Sequence, residues 1–464
     1  MPDRTRPADQ GQLALHLPAD LPALAIEPEW KAQPRLWGPS LHPMCSYLAS
    51  FPASLAHAFV ARYSRPGDVV LDPFSGRGTT PLQAAAEGRV GVGNDLNPFA
   101  HLLTAAKLDP APSAAARTRR TALRLGWASD AAAWDALGAR VRAHPGHPAA
   151  RVPRAGDGGG PHAHDEEVPD EGAIAFHPRT LGQLLHLRAT LVLTDPVDRF
   201  LAGALAGILH GKTPSYLSTL MPNTFSMAPR YVREFARTNA FEPPRRDAFD
   251  GLVGKLDRLY RHPLPAVGGI ALLGDARSAG RRARAALRAR GLPDRARLVV
   301  TSPPYLRVLK YGYYNWLRLG LLGEDPRVVD AALDDAHHRA PYLAFLREVL
   351  ADLRTALTDD AVVVLVIGDV ETDRGKPLAG GTGLAERVWE EAAWPSGYRL
   401  PGLGRDGTAP GRKMTKPGGA TAGRAAATHR ILVLGATEAG RRRALAAAAT
   451  PIDWSWPPVR LRAV

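Results

Sequence analysis

Along this chain, short apolar runs alternate with longer stretches whose apolar residues recur at helical spacing. Val69-Val70-Leu71, Val90-Gly91-Val92, Ile270-Ala271-Leu272-Leu273, Leu298-Val299-Val300, Ala361 to Ile367 and His429 to Leu434 read as buried strands. A shorter strand near Tyr398 makes seven. Leu55, Phe59 and Val60 after Pro52, the run Pro81 to Glu87, and Pro341 to Leu357 predict helices. Strands that alternate with helices in this way predict an α/β class: a doubly wound, Rossmann-like, seven-stranded sheet. Residues 1–40 are Pro-rich and read as an arm. Residues 41–110 form the first half of the α/β domain and 266–464 the second. Between them, 111–265 read as a largely helical insert, broken at 151–172 by a Gly-rich flexible linker. Residues 401–427 read as a Gly-rich loop carrying Arg405, Arg412, Lys413 and Lys416. The chain shows no internal repeat.

The strand ends carry the chemistry. The first runs into Asp72-Pro73-Phe74-Ser75-Gly76-Arg77-Gly78-Thr79-Thr80. A strand, a Gly-x-Gly turn and a helix make a nucleotide-binding unit. The third glycine of the dinucleotide pattern is missing, which argues against NAD, and no Gly-Lys-Ser/Thr follows to make a P-loop. Asp95 ends the second strand about 23 positions after Asp72, near the roughly 20-residue offset at which an acidic residue holds a ribose. Its alternative role is a helix N-cap. The third strand ends in Gly274-Asp275, where an acidic residue faces the cofactor crevice. The fourth is part of Arg297 to Tyr305, RLVVTSPPY. Two prolines in succession fix two φ angles and remove two backbone donors. The corner presents the Ser302 hydroxyl, backbone carbonyls and the Tyr305 ring. That set suits a flat heterocycle with an exocyclic amine, which hydroxyl and carbonyl can accept from and the ring can stack on. The alternative is a Pro-Pro turn after a core strand. Tyr311, Tyr313, Tyr314 and Trp316 wall a base pocket or fill the core.

Composition narrows the partner. The 464 residues carry a formal net charge of +14, which favours a polyanion, nucleic acid first. A GC-rich coding sequence would also enrich arginine. Lys212, Tyr216, Arg230, Tyr231 and Arg233 interleave basic and aromatic groups as a nucleic-acid surface does, or form a solvated face. Cys45 is the one cysteine, which excludes a disulfide framework and a Cys-rich zinc site. His162 and His164 beside Asp165 lie in a Gly-rich loop, a poor shell for metal. Gly211-Lys212-Thr213 lacks the upstream glycine of a P-loop. The first residues have no apolar signal core, and no run reaches the roughly 18 apolar residues of a membrane span. A soluble, cytoplasmic protein is expected.

DPFSGRGTT and TSPPY, in this order on a seven-stranded sheet, resemble the S-adenosylmethionine-dependent amino-methyltransferases of DNA. His42-Pro43 and Phe51-Pro52-x-x-Leu55 resemble that family's segment before the first strand. The resemblance covers roughly 41–110 and 268–435. It implies S-adenosylmethionine as cofactor, with Phe74, Ser75, Gly76, Gly78 and Thr80 lining the methionine end and Asp72 and Thr79 also binding the cofactor. Asp95 would hold the ribose and Asp275 would lie near the adenine amine. Ser302, Pro303, Pro304 and Tyr305 would form the catalytic corner. The substrate implied is a base flipped from double-stranded DNA, N4 of cytosine favoured by Ser302 and N6 of adenine possible. The setting implied is restriction-modification or another defence system, with a separate partner. The insert at 111–265 would recognise the target. Arg77 departs from the family, where many relatives have a small residue. The competing readings are an RNA N-methyltransferase and a catalytically inactive nucleic-acid-binding module.

Overall fold

The structure is a computed structural model. It describes residues 29–47, 50–143, 151–152, 166–167, 170–211, 213–218, 229–304, 311–332, 339–368, 372–373, 376–377, 383–407 and 428–456. The calls on Tyr305, Lys212, His162, His164, Arg412, Lys413 and Lys416 lie outside the described residues.

Seven strands form one sheet: β1 (Val69–Asp72), β2 (Val90–Asp95), β3 (Ile270–Leu273), β4 (Ala296–Thr301), β5 (Leu357–Gly368), β6 (Arg399–Gly407) and β7 (Thr428–Gly435). Their order across the sheet is β6-β7-β5-β4-β1-β2-β3. Strands β3, β2, β1, β4 and β5 run parallel to one another, and β7 runs antiparallel to β5 and β6. The chain builds outward from β1 through β2 to β3, then returns to the other side of β1 for β4. Between β1 and β4 the direction of winding reverses, and ligands of open α/β sheets bind at the carboxyl ends beside such a switch point. The seven-stranded doubly wound class expected from the hydrophobic pattern is the one found.

The central strands are buried on both faces. Val70, Leu298, Val299 and Val300 are fully covered, as continuous apolar runs require. Helix α1 (Ala53–Tyr63) precedes β1, and α2 (Thr79–Ala86) follows it. Gly91 in β2 has the α2 backbone pressed against it: a Cβ there would lie 2.1 Å from the Pro81 carbonyl oxygen. After β2 comes α3 (Pro98–Leu108). The helices α4 (Ser113–Ser129), α5 (Ala131–Ala143), α6 (Pro178–Thr190), α7 (Pro196–Ala206) and α8 (Ala248–Leu259) then gather before β3. They share one apolar cluster with α3 and with Leu41, Met44 and Cys45. Helices α9 (Ala279–Ala289), α10 (Arg339–Arg354) and α11 (Glu438–Ala447) complete the cover of the sheet.

Two local readings are corrected. The strand near Tyr398 is not short: it runs over Arg399–Gly407, so the first seven residues read as loop at 401–427 are strand. Its Pro401 and three glycines misled the pattern, yet an edge strand tolerates proline because one side of its ladder is unused. Strand β5 begins at Leu357 rather than Ala361, and α10 ends accordingly at Arg354. Among the described residues no helix is long and apolar enough to cross a membrane, and no cluster of three metal-ligating side chains occurs.

Candidate active site

A cleft of about 960 Å³, partly open to solvent, lies along the carboxyl ends of β3, β2, β1 and β4. Of the residues singled out in the sequence, Asp72, Phe74, Ser75, Gly76, Thr79, Asp95, Asp275, Ser302 and Pro304 line it. Residues from four separate strand ends therefore converge. Asn94, fully buried in β2, helps to hold them in step. Its amide donates to the Pro73 carbonyl at 3.1 Å and to the Gly274 carbonyl at 2.9 Å, which ties the ends of β1 and β3 to β2.

The turn after β1 is shaped by two left-handed glycines, Gly76 at φ +51° and Gly78 at φ +75°. The Gly76 N–H donates to Asp95 Oδ2 at 2.8 Å, and the Asn97 N–H donates to Asp95 Oδ1 at 2.9 Å. Asp95 thus braces the turn from β2 while still lining the cleft. The N-cap of α3 is Asn97, whose side chain accepts from the Phe99 N–H, so the capping role weighed for Asp95 belongs two residues later. Burial pushes the Asp95 carboxyl up to about 6 against the pull of these N–H groups.

Asp72 is more deeply placed. Its Oδ1 accepts from the Thr301 hydroxyl at 2.6 Å and from the Phe74 N–H at 3.1 Å. Burial raises its pKa to about 7, against the lowering effect of those bonds. The pair joins the end of β1 to the residue before Ser302. Ser302 in turn donates its hydroxyl hydrogen to the Val366 carbonyl of β5 at 3.0 Å.

At the far end, Asp275 forks onto Arg277, with Oδ2 2.8 Å from Nη2 and 3.0 Å from Nε. Burial would raise the Asp275 pKa, but the Arg277 side chain, N–H and charge outweigh it and hold the carboxyl low. The Arg277 guanidinium also stands 5.6 Å from the Phe345 ring, which meets Phe74 at 5.8 Å. Arg277 and Phe345 both line the cleft and escaped the sequence reading. Only an arginine two residues after a strand-end aspartate could have pointed to the first.

Three expected residues stand back from the cleft. Thr80 is fully buried and donates to the Val300 carbonyl at 3.0 Å. Gly78 makes room for Thr104, whose Oγ1 would be 2.9 Å from a Cβ. Pro303 is buried and does not line the cleft. The aromatic cluster divides: Tyr311 lines the cleft while Trp316 is core. Tyr311 stacks at 6.3 Å on Tyr47, a cleft residue from the segment before α1 that no motif flagged. Burial, with Asp95 nearby, raises the Tyr47 pKa well above that of an ordinary phenol.

Residues 28–106 match the DNA methylase family model for N6 and N4 methylation. Type II methyltransferase M.MjaII of Methanocaldococcus jannaschii is 35% identical over 68 residues, which is 15% of this chain and 13% of that protein. Type II methyltransferase M.MthZI of Methanothermobacter thermautotrophicus is 47% identical over 49 residues, 11% of this chain and 14% of that protein. Type II methyltransferase M.Cfr9I of Citrobacter freundii is 38% identical over 64 residues, 14% and 21% of the two chains. The matched segments therefore span between 13% and 21% of the relatives' length. Among solved structures, TrmN from Thermus thermophilus overlaps 85% of this chain and 52% of its own at 12% identity and a TM-score of 0.29. The rRNA methyltransferase aviRa from Streptomyces viridochromogenes overlaps 87% and 94% at 12% identity and 0.31. Overlaps that loose carry no argument. Residues 28–106, which hold β1, its turn and β2, are thus similar to the DNA methylase family, and the chain is similar in part to type II methyltransferases.

Proposed function

We propose that this protein is an S-adenosylmethionine-dependent methyltransferase acting on the exocyclic amine of a base in double-stranded DNA. N4 of cytosine is favoured and N6 of adenine is the other target. The cleft suits the cofactor: Phe74, expected at the methionine end, packs on Phe345, so the two offer apolar faces for an adenine ring instead, and Asp95 offers carboxylate oxygens for a ribose. When bound, S-adenosylmethionine supplies a methyl group on a positively charged sulfur. The remaining work falls to the protein.

The observation that carries the reading is the direction of the Ser302 hydroxyl. Its hydrogen is spent on the Val366 carbonyl, so its oxygen is left to accept. An exocyclic amine is a poor nucleophile because its lone pair is delocalised into the ring. Accepting one N–H at Ser302 and another at the Pro303 carbonyl favours a pyramidal nitrogen whose lone pair is available to attack. Asp72 and Thr301 hold the corner against the cofactor turn, and such positioning is worth several orders of magnitude in rate. Tyr305 stacks on the base, which must leave the helix to reach the corner. No covalent enzyme intermediate is required. The relatives named type II methyltransferases support a setting in DNA modification, and the net charge of +14 supports the polyanionic substrate; a separate nuclease or defence partner is part of the proposal. The helices between β2 and β3 are the candidates for target recognition.

The test is nucleoside mass spectrometry on unmethylated genomic DNA incubated with the protein and labelled cofactor. A labelled N4-methylcytosine or N6-methyladenine peak is expected. Ser302→Ala lowers turnover by on the order of 100-fold, the scale of losing one aligned hydrogen bond at a reacting centre. Its S-adenosylhomocysteine affinity stays within about twofold. Label appearing in RNA instead of DNA would overturn the substrate, and full activity in Ser302→Ala would overturn the corner.

A further inference from the structure

Arg77 stands in the turn between the two left-handed glycines, Gly76 and Gly78. Its side chain is partly buried and lines the cleft beside Ser50 and Phe51. Its Nε donates to Thr79 Oγ1 at 3.2 Å, and its Nη2 reaches the Phe51 carbonyl at 3.5 Å, the limit of a hydrogen bond. Both partners are neutral. Among the described residues no carboxylate lies within ion-pair distance of it.

The surroundings sharpen that point. The nearby cleft carboxylates are engaged elsewhere: Asp95 on the Gly76 and Asn97 N–H groups, Asp72 on Thr301 and the Phe74 N–H. The next basic group, Lys107, is fully buried, and its Nζ donates to Arg77's own carbonyl at 2.5 Å; burial and the Arg77 charge hold its pKa well below that of an ordinary lysine. So the Arg77 charge stands on this turn with no carboxylate paired to it among the described residues. The cleft's other arginine, Arg277, is by contrast forked onto Asp275. A guanidinium has five donors and no acceptor, and partial desolvation makes an unpaired one costly. Burial lowers the Arg77 pKa only to about 10, so the group is charged at neutral pH. Strand order fixes which ligand end it meets. Asp275, Arg277 and Phe345 sit at the β3 end, Asp95 follows at β2, and Arg77 sits beyond them on the turn after β1. A nucleoside lying over β3 and β2 extends its other end toward Arg77.

We propose that Arg77 binds the carboxylate at the amino-acid end of the cofactor, as a specificity residue proper to this chain. The proposal rests on the methyltransferase reading above. It makes this protein more dependent on the cofactor's carboxylate than a site built on backbone N–H groups alone. The charge-assisted pair is of the kind worth about 10- to 100-fold in affinity. A DNA phosphate is the competing anion. It is less favoured because Arg77 lies on the cofactor turn, inside the cleft walls.

Calorimetric titration of the full chain tests this with two ligands. S-adenosylhomocysteine keeps the amino-acid end, and 5′-methylthioadenosine lacks it. The Arg77→Met variant is expected to lose about 10- to 100-fold in affinity for S-adenosylhomocysteine and to bind 5′-methylthioadenosine within about twofold of wild type. Arg77→Lys should fall between. Equal losses for both ligands, or none for either, overturn the proposal. An unchanged S-adenosylhomocysteine affinity with weakened DNA binding assigns the guanidinium to phosphate and overturns it too. Should Arg77→Met fail to fold, wild type alone decides: decarboxylated S-adenosylmethionine must bind at least about tenfold more weakly than the intact cofactor. If wild type binds neither nucleoside, the methyltransferase reading itself fails.

Discussion

At the scale of single residues, the cleft is a set of carboxyl and hydroxyl groups whose protonation and direction are set by neighbours. Asp72 is the clearest case. An unfolded aspartate ionises near 3.8, and burial moves the folded group to about 7. A carboxyl whose folded pKa is raised penalises folding wherever the unfolded chain is already ionised, so stability falls as pH rises from about 4 to 7. Asp72→Asn keeps an oxygen for the Thr301 hydroxyl and the Phe74 N–H and removes the charge. It should therefore be more stable than wild type at pH 8, by on the order of 2 kcal/mol, and no more stable at pH 4. Thermal melts at the two pH values check this, and a less stable variant at pH 8 would mean that the ionised carboxylate is the favoured folded form. The residue scale is also where the sequence was least complete. The cleft-lining residues of DPFSGRGTT, Asp95, Ser302 and Pro304 were legible because glycines, prolines and strand-end acids leave local marks. Tyr47, Arg277 and Phe345 reach the same cleft from elements whose mutual placement no local pattern encodes.

At the scale of elements, six of the seven strands were legible as apolar runs, the central ones because a strand buried on both faces is apolar whatever its partners. What failed was the edge: β6 carries Pro401, Gly402 and Gly404, and its pairing with β7 rather than its own composition makes it a strand. Helix α1 shows a second kind of hidden information. His57 on its buried face has Nδ1 2.7 Å from Glu87 Oε1 and Nε2 2.8 Å from the Asp453 carbonyl. Both ring nitrogens face acceptors, so only the imidazolium satisfies both. Burial opposes that charge, but the Glu87 hydrogen bond and charge, aided by the Asp453 carbonyl, raise the pKa above 6.5. A histidine raised in the folded state gives stability that is whole below pH 6.5 and is lost as pH climbs through the folded pKa. The clamp joins α1, the end of α2 and the segment of Trp454, whose ring lies 5.3 Å from His57. His57→Leu should cost roughly 1–3 kcal/mol at pH 6 and progressively less at higher pH. Denaturant titrations at pH 6 and pH 9 measure the difference, and a loss that is the same at both would show that the bonds do not need the proton.

At the scale of the whole molecule, the helices between β2 and β3 read from sequence as an inserted unit, since nothing in a helical pattern says what its apolar face covers. In the structure that face is shared. Met44 and Leu103 are fully buried in one cluster with Phe200, Leu201, Leu205 and Leu256, and Lys255 on α8 donates to the Pro43 carbonyl at 3.0 Å. The segment that delivers Tyr47 to the cleft is thus packed from behind by α7 and α8. Replacing residues 113–259 with a short Gly/Ser linker would re-expose α3 and the Leu41–Cys45 stretch. Each large apolar side chain returned to water costs about 1.5–3 kcal/mol, so half a dozen cost on the order of 10 kcal/mol, comparable to the whole stability of an ordinary domain. The shortened chain is therefore expected to lose its cooperative melt and its S-adenosylhomocysteine binding together. If it melts cooperatively and binds within about threefold of the full chain, the helices are a detachable appendage. They could then serve target recognition without supporting the cleft. If both properties vanish, any recognition they perform is mechanically continuous with the wall that holds Tyr47, and a base docked on that side presses directly on the site.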